Sequence, residues 1–123
     1  MPMSDYLRRQ YLRHLLGVEV YTPPTTIYLQ LFTGDPTPAG TGPAMAVARM
    51  TSTWVPPTAD TSALAATLRY AGSPAEATIT HAAQYDALTG GNMLLYGELN
   101  DPITVAAGTE PEVRAGELTA FFT

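Results

Sequence analysis

Few side chains in this sequence have the type and spacing that chemistry requires. The Gly-rich stretch Gly34 to Gly42 invites comparison with a phosphate-cradling loop, but no Lys-Ser or Lys-Thr pair ends it and no strand-to-helix unit holds it. Asp86, Glu98 and Asp101 flank one expected hairpin, and converging carboxylates would suit general acid and base work on a glycosidic bond. The bland reading is stronger, because Asp86 stands before a turn and Asp101 before Pro102, positions where an Asp side chain bonds nearby backbone. His14 and His81 are far apart and fit no metal-ligand spacing, there is no Cys, and no Ser sits in a nucleophile elbow. The expectation is therefore no catalytic residue, no metal site and no cofactor. Trp54 and the tyrosines could stack on a sugar ring, which keeps glycan binding open, although a single Trp on a strand more often fills a core or an interface.

The elements that would position these residues are short. Gly and Pro together make 21 of 123 residues while charged residues are only 14%, a balance that favours strands and tight turns over long solvated helices. With 46% hydrophobic residues the chain should fold, and its length suits one domain, residues 1–123. Within it, residues 1–18 read as an N-terminal helix arm and residues 25–123 as the β body.

The arm is the best-marked element. Leu7, Tyr11, Leu15 and Leu16 recur at helical spacing, and Arg8, Arg9, Gln10 and Arg13 lie mostly elsewhere around the wheel. Ser4 is placed to cap the first turn, Asp5 and His14 suit the two ends of the helix dipole, and Gly17 suits a left-handed stop. One role for the arm is to close an open end of the β body. The other is to dock on a neighbouring subunit, with Leu7, Arg8, Arg9, Tyr11, Arg13 and Leu15 as the contact residues. On the docking reading, removing residues 1–17 should leave a soluble domain that no longer binds particles.

Beyond Pro23-Pro24 the period changes to two. Ile27, Leu29 and Leu31 alternate with Tyr28, Gln30 and Phe32, and residues 33–44 form a long turn-rich loop around Gly34, Asp35 and Pro36. Further extended runs are expected at 45–55, 64–70, 77–85, 93–99, 103–106, 110–114 and 118–122. The turn Asp86 to Asn92, with Gly90 and Gly91, joins two of them as antiparallel neighbours, Asn100-Asp101-Pro102 makes another turn, and Glu110, Glu112 and Glu117 suit a solvated edge. The predicted fold is all-β, a jelly-roll-like or Greek-key β-sandwich of about seven or eight strands with one N-terminal α-helix.

Charge narrows the partners. Eleven acids against six bases, all Arg, give a net −5, yet residues 1–18 carry +2 and the remainder −7. An acidic body without a basic, aromatic-lined stripe argues against nucleic acid. No apolar run reaches the length of a membrane span, and three Arg interrupt the only candidate signal region. Production and assembly in the host cytoplasm are expected.

Three strings stand out: Leu31 to Thr37 (LFTGDPT) with Ala39-Gly40-Thr41-Gly42, the hairpin Tyr85 to Leu99 (YDALTGGNMLLYGEL), and Thr104-Val105, Gly108 and Ala115 to Thr119 near the end. Together they resemble a family of small tailed-bacteriophage virion proteins commonly labelled tail fibre proteins. A short helix leading into a strand before the first string matches as well, whereas Met45 to Ala77 departs from the pattern. The resemblance implies a virion structural protein whose motifs are turns and strands. Between locations, a complete domain without fibrous repeats and with an acidic body favours a capsid decoration protein, expected as a symmetric homo-oligomer, that binds the major capsid protein or other virion proteins. The alternative is a tail-fibre, head-fibre-base or baseplate component with receptor or glycan binding.

Overall fold

The computed structural model describes residues 1–57 and 60–121, without the side chain of Phe121. It has one helix, α1 (Asp5–Leu15), followed by eight strands: β1 (Ile27–Phe32), β2 (Met50–Ser52), β3 (Thr61–Ala63), β4 (Leu68–Arg69), β5 (Ala77–Tyr85), β6 (Met93–Val105), β7 (Glu112–Val113) and β8 (Thr119–Phe121). β2, β1, β5 and β6 form, in that order, one antiparallel sheet, and β3 with β8 and β4 with β7 form two antiparallel ribbons. After the excursion through β3 and β4 the chain returns to place β5 beside β1. The architecture is mostly β and β-sandwich-like, with the single helix near the N-terminus.

The main core lies between the large sheet and the ribbons. Leu29 and Leu31 of β1, Ile79 and Ala82 of β5, and Leu99 and Val105 of β6 pack with Leu64, Leu68, Tyr70, Val113 and Leu118 from the opposite side. Alternation explains the strand face, since Leu29 and Leu31 point one way while Phe32 joins Ala83, Tyr85, Met93 and Tyr96 in a separate cluster. Tyr70 fastens the two layers by donating its hydroxyl to the Leu29 carbonyl at 3.0 Å, and burial pushes that hydroxyl's pKa well above the ordinary tyrosine value.

Several expected elements take a different form. The turn at Asn100-Asp101-Pro102 is absent, and β6 runs through it as one strand of 13 residues. The extra residues are absorbed by an irregularity, because His81 pairs with Glu98 and Ile79 with Ile103. Pro102 lies in that irregular stretch of a sheet-edge strand, where a missing N–H costs little. The expected run 45–55 contracts to Met50–Ser52, and the run 64–70 is only strand at Leu68–Arg69 although Leu64, Leu68 and Tyr70 are all buried. Tertiary burial without ladder pairing produces the same apolar alternation as a strand. Of the run expected at 118–122, Phe122 lies outside the described residues.

Candidate docking surface

Residues 2–4 pair with the sheet. Met3 bridges Leu95 antiparallel, the Ser4 N–H donates to the Leu94 carbonyl at 2.8 Å and the Tyr96 N–H donates to the Pro2 carbonyl at 3.1 Å. The first residues thereby cover the free edge of β6, which would otherwise expose unpaired backbone groups. Met1 packs over Gly97, where a Cβ would approach Met1 Cγ to 3.1 Å. Ser4 caps α1 as its side-chain oxygen accepts from the Leu7 N–H at 3.1 Å, and its hydroxyl also donates to the Met93 carbonyl. Leu7 is buried with Met1, Leu94 and Leu95, against which Tyr6, Tyr11, Tyr21 and Ile27 pack. Leu7 is therefore an internal contact of this chain, and not a side chain presented to a partner. The closeness of residues 1–7 to β6 also revises the truncation expectation: removing residues 1–17 strips core and edge pairing from the domain.

The same helix behaves differently one turn later. Tyr11 is partly buried and stacks edge-on with Tyr21, ring centroids 5.4 Å apart, whereas Leu15, on the same helical stripe, is 79% exposed. The stripe outlasts the surface it covers. Leu12, Leu15 and Leu16, at the i, i+3, i+4 spacing, stand in solvent. Gly17, at φ 72°, turns the chain back, with Val18 and Glu19 N–H groups donating to the Arg13 carbonyl and the Tyr21 N–H to His14 Nδ1. Val18 and Val20 then add to the exposed apolar set. Burial, helped by the neighbouring Tyr6, Tyr11 and Asp86, raises the Tyr21 hydroxyl to about 12.

Arg8, Arg9 and Arg13 are all exposed around the apolar surface, and Arg13 lies 3.8 Å from Glu19. Leu12, Leu16, Val18 and Val20 were not among the contact residues expected from sequence. Their signal was the run Leu15-Leu16-Gly17-Val18 with Val20, apolar residues on a stop and turn with no strand to bury them. Burying one such side chain fully is worth about 1.5–3 kcal/mol, so five of them form a surface able to hold a partner.

The two turn motifs meet beside the start of α1. In the first, Asp35 Oδ1 accepts from the Thr37 N–H at 2.9 Å, Pro36 is fully buried, and a Cβ on Gly34 would approach Pro43 Cγ to 2.9 Å. In the second, Asp86 accepts from the Asn92 N–H at 2.7 Å and from its side-chain amide at 3.1 Å, while Gly90 and Gly91 take positive φ. The Asp5 N–H donates to the Pro38 carbonyl, and a shallow groove of about 370 Å³ runs between the motifs past Tyr6 and Arg9. Sequence reasoning missed Arg49. Its guanidinium lies 3.6 Å above the Tyr85 ring and donates to the Ala87 and Gly90 carbonyls at 2.7 Å each, fixing the hairpin to the middle of the chain.

The remaining candidate groups are dispersed. Asp86 precedes the start of β6, Glu98 lies 3.8 Å from His81 in mid-strand, and Asp101 lines a separate groove, so the three carboxylates do not converge. That second groove, about 420 Å³, is walled by Asp101, Glu110, Glu112 and Glu117 with Arg114, over Ile103 and Val105. Arg69 reaches Glu112 at 2.7 Å and holds its carboxyl below the usual carboxylate value. Trp54 is half-buried, donates Nε1–H to Ser52 Oγ at 3.0 Å and packs against both the main core and the cluster under α1. Among the described residues, no buried side-chain nitrogen or oxygen lacks a hydrogen-bond partner, no group of three or more His, Asp or Glu could hold a metal ion, and no helix is long and apolar enough to cross a membrane.

A β-rich domain of this kind, whose motifs are turns and whose largest unsatisfied feature is an apolar surface, has the character of an assembling part. The family comparison gives that class its name, a fibre protein of a tailed phage, through a match over residues 2–120. The chain belongs to this family, described as Podophage GP4 fiber I protein gp80, and is a bacteriophage virion structural protein. No curated protein matches it.

Proposed function

We propose that the chain is a non-catalytic fibre-type component of the phage particle, held by the exposed end of α1. The observation that carries this reading is the exposure of Leu12, Leu15, Leu16, Val18 and Val20, between 58% and 79%, at the end of a helix and on the turn after it, while the helix's first turns are anchored in the core. A rigidly held apolar surface ringed by Arg suits burial against another virion protein better than it suits solvent. The family description favours a fibre over the capsid decoration expected from sequence. Trp54 packs against two clusters and donates to Ser52, a structural role that weighs against glycan binding.

Quantitative mass spectrometry of purified particles tests the location. A copy number that is a small multiple of the tail symmetry is expected. A copy number comparable to that of the major capsid subunit would instead mean decoration of the shell, and would overturn the fibre assignment.

A further inference from the structure

We infer that the partner of the α1 surface is a second copy of this chain, and that the docking site on that copy is the acidic groove at the far end of β6. This rests on the assembly reading above and goes beyond it by naming the occupant and the residues on both sides.

The two surfaces match in chemistry. The helix side presents exposed Leu12, Leu15 and Leu16 beside Arg8, Arg9 and Arg13, and Arg8 and Arg9 have no ion-pair partner among the described residues. The groove presents an apolar floor, Ile103 and Val105, under four carboxylates that outnumber its one base, Arg114. Glu110 and Asp101 on its wall are exposed and have no ion-pair partner among the described residues. Apolar contact would supply the adhesion and opposite charge the orientation.

The geometry makes the contact intermolecular. α1 packs at the Met93–Leu95 end of β6 and the groove opens along Asp101–Val105, about 20 Å further on by the rise of the β5 residues, Tyr85 to Ile79, that pair with this span. A chain cannot fold its own anchored helix into its own groove. Because the two patches differ, a single contact leaves one helix end and one groove free, and copies satisfy these either reciprocally in a two-fold dimer or by adding on to close a ring or propagate a row.

Sedimentation velocity over a range of protein and salt concentrations tests this. The wild-type chain should self-associate in a concentration-dependent way that weakens as salt is raised. The variant R8E/R9E/R13E and the variant D101K/E110K, each shown by circular dichroism to be folded, should associate at least about tenfold more weakly alone. Mixed in equal amounts they should regain association, because the reversed helix then faces the reversed groove. Leu15→Asp should be monomeric. Association that ignores both charge sets, or a mixture that stays dissociated, would overturn the groove assignment. A wild-type chain that is monomeric throughout would overturn the second copy as occupant. In that event, loss of Leu15→Asp from particles would preserve the assembly role and point to a different virion protein, whereas normal incorporation would remove the assembly role of this surface too.

Discussion

The two halves of α1 share one sequence pattern and differ in everything that follows from it. Leu7, in the first half, is 5% exposed against Leu94 and Leu95, and Leu15, two turns along the same stripe, is 79% exposed. The difference lies in what is underneath. The strand pairing of Pro2 to Ser4 with β6 fixes the start of the helix over the sheet, and the remaining turns run past the end of that surface. The first half therefore stabilises the domain, and the second half is available for assembly. The helix is at once part of the core and a projecting contact.

That contrast can be broken by substitution. Leu7→Ala should cost about 2–5 kcal/mol of stability through lost burial and a cavity, seen as a lowered midpoint in chemical denaturation. If Leu7→Ala leaves the midpoint unchanged, the first half is not core. Ser4→Ala removes the cap to the Leu7 N–H and the bond to the Met93 carbonyl, and should cost about 0.5–2 kcal/mol by the same measurement. Leu15→Asp, in solvent, should change stability by no more than about 0.5 kcal/mol while sharply reducing incorporation into particles in a complementation assay. A large loss of stability there would mean that the second half is packed after all.

The smallest effect belongs to the opposite end of β6. Arg69 depresses the pKa of Glu112, so this pair contributes stability above the carboxylate's unfolded value and loses it as pH falls through the folded value. Both side chains are partly solvated, and Glu112→Gln should lower the neutral-pH thermal midpoint only slightly, the loss fading on acidification so that the fall is flatter. A substantial drop at neutral pH would show that the groove wall is structural.

Local signals made some of this legible in the sequence. Ser4 and Gly17 bracket the helix, the alternation of Ile27 to Phe32 marks β1, and Asp86 with Gly90, Gly91 and Asn92 marks the turn between β5 and β6. The continuity of β6 was not legible, because Asn100-Asp101-Pro102 has turn composition and only the pairing with β5 carries the strand through it. The exposure of Leu15 was hidden for a related reason. Helical periodicity states which side chains share a face, but not where the opposing sheet ends. The acidic groove likewise joins Asp101 of β6 to Glu110 and Glu117 around β7, neighbours that arise only from tertiary folding. The resemblance to phage fibre proteins was carried by strings of which two meet beside the anchored start of α1, while the third, through Val105 and Glu117, lines the acidic groove; none lies at the projecting end of α1.

The central claim is that the projecting half of α1 is buried in the assembled particle. The chain has no cysteine, so Leu15→Cys introduces a single thiol at its most exposed leucine. Maleimide labelling of that thiol, compared between intact particles and the dissociated chain, tests the claim most directly. The account predicts rapid labelling of the dissociated chain and strong protection in particles. Equal labelling in both would show that the surface stays in solvent and would contradict it.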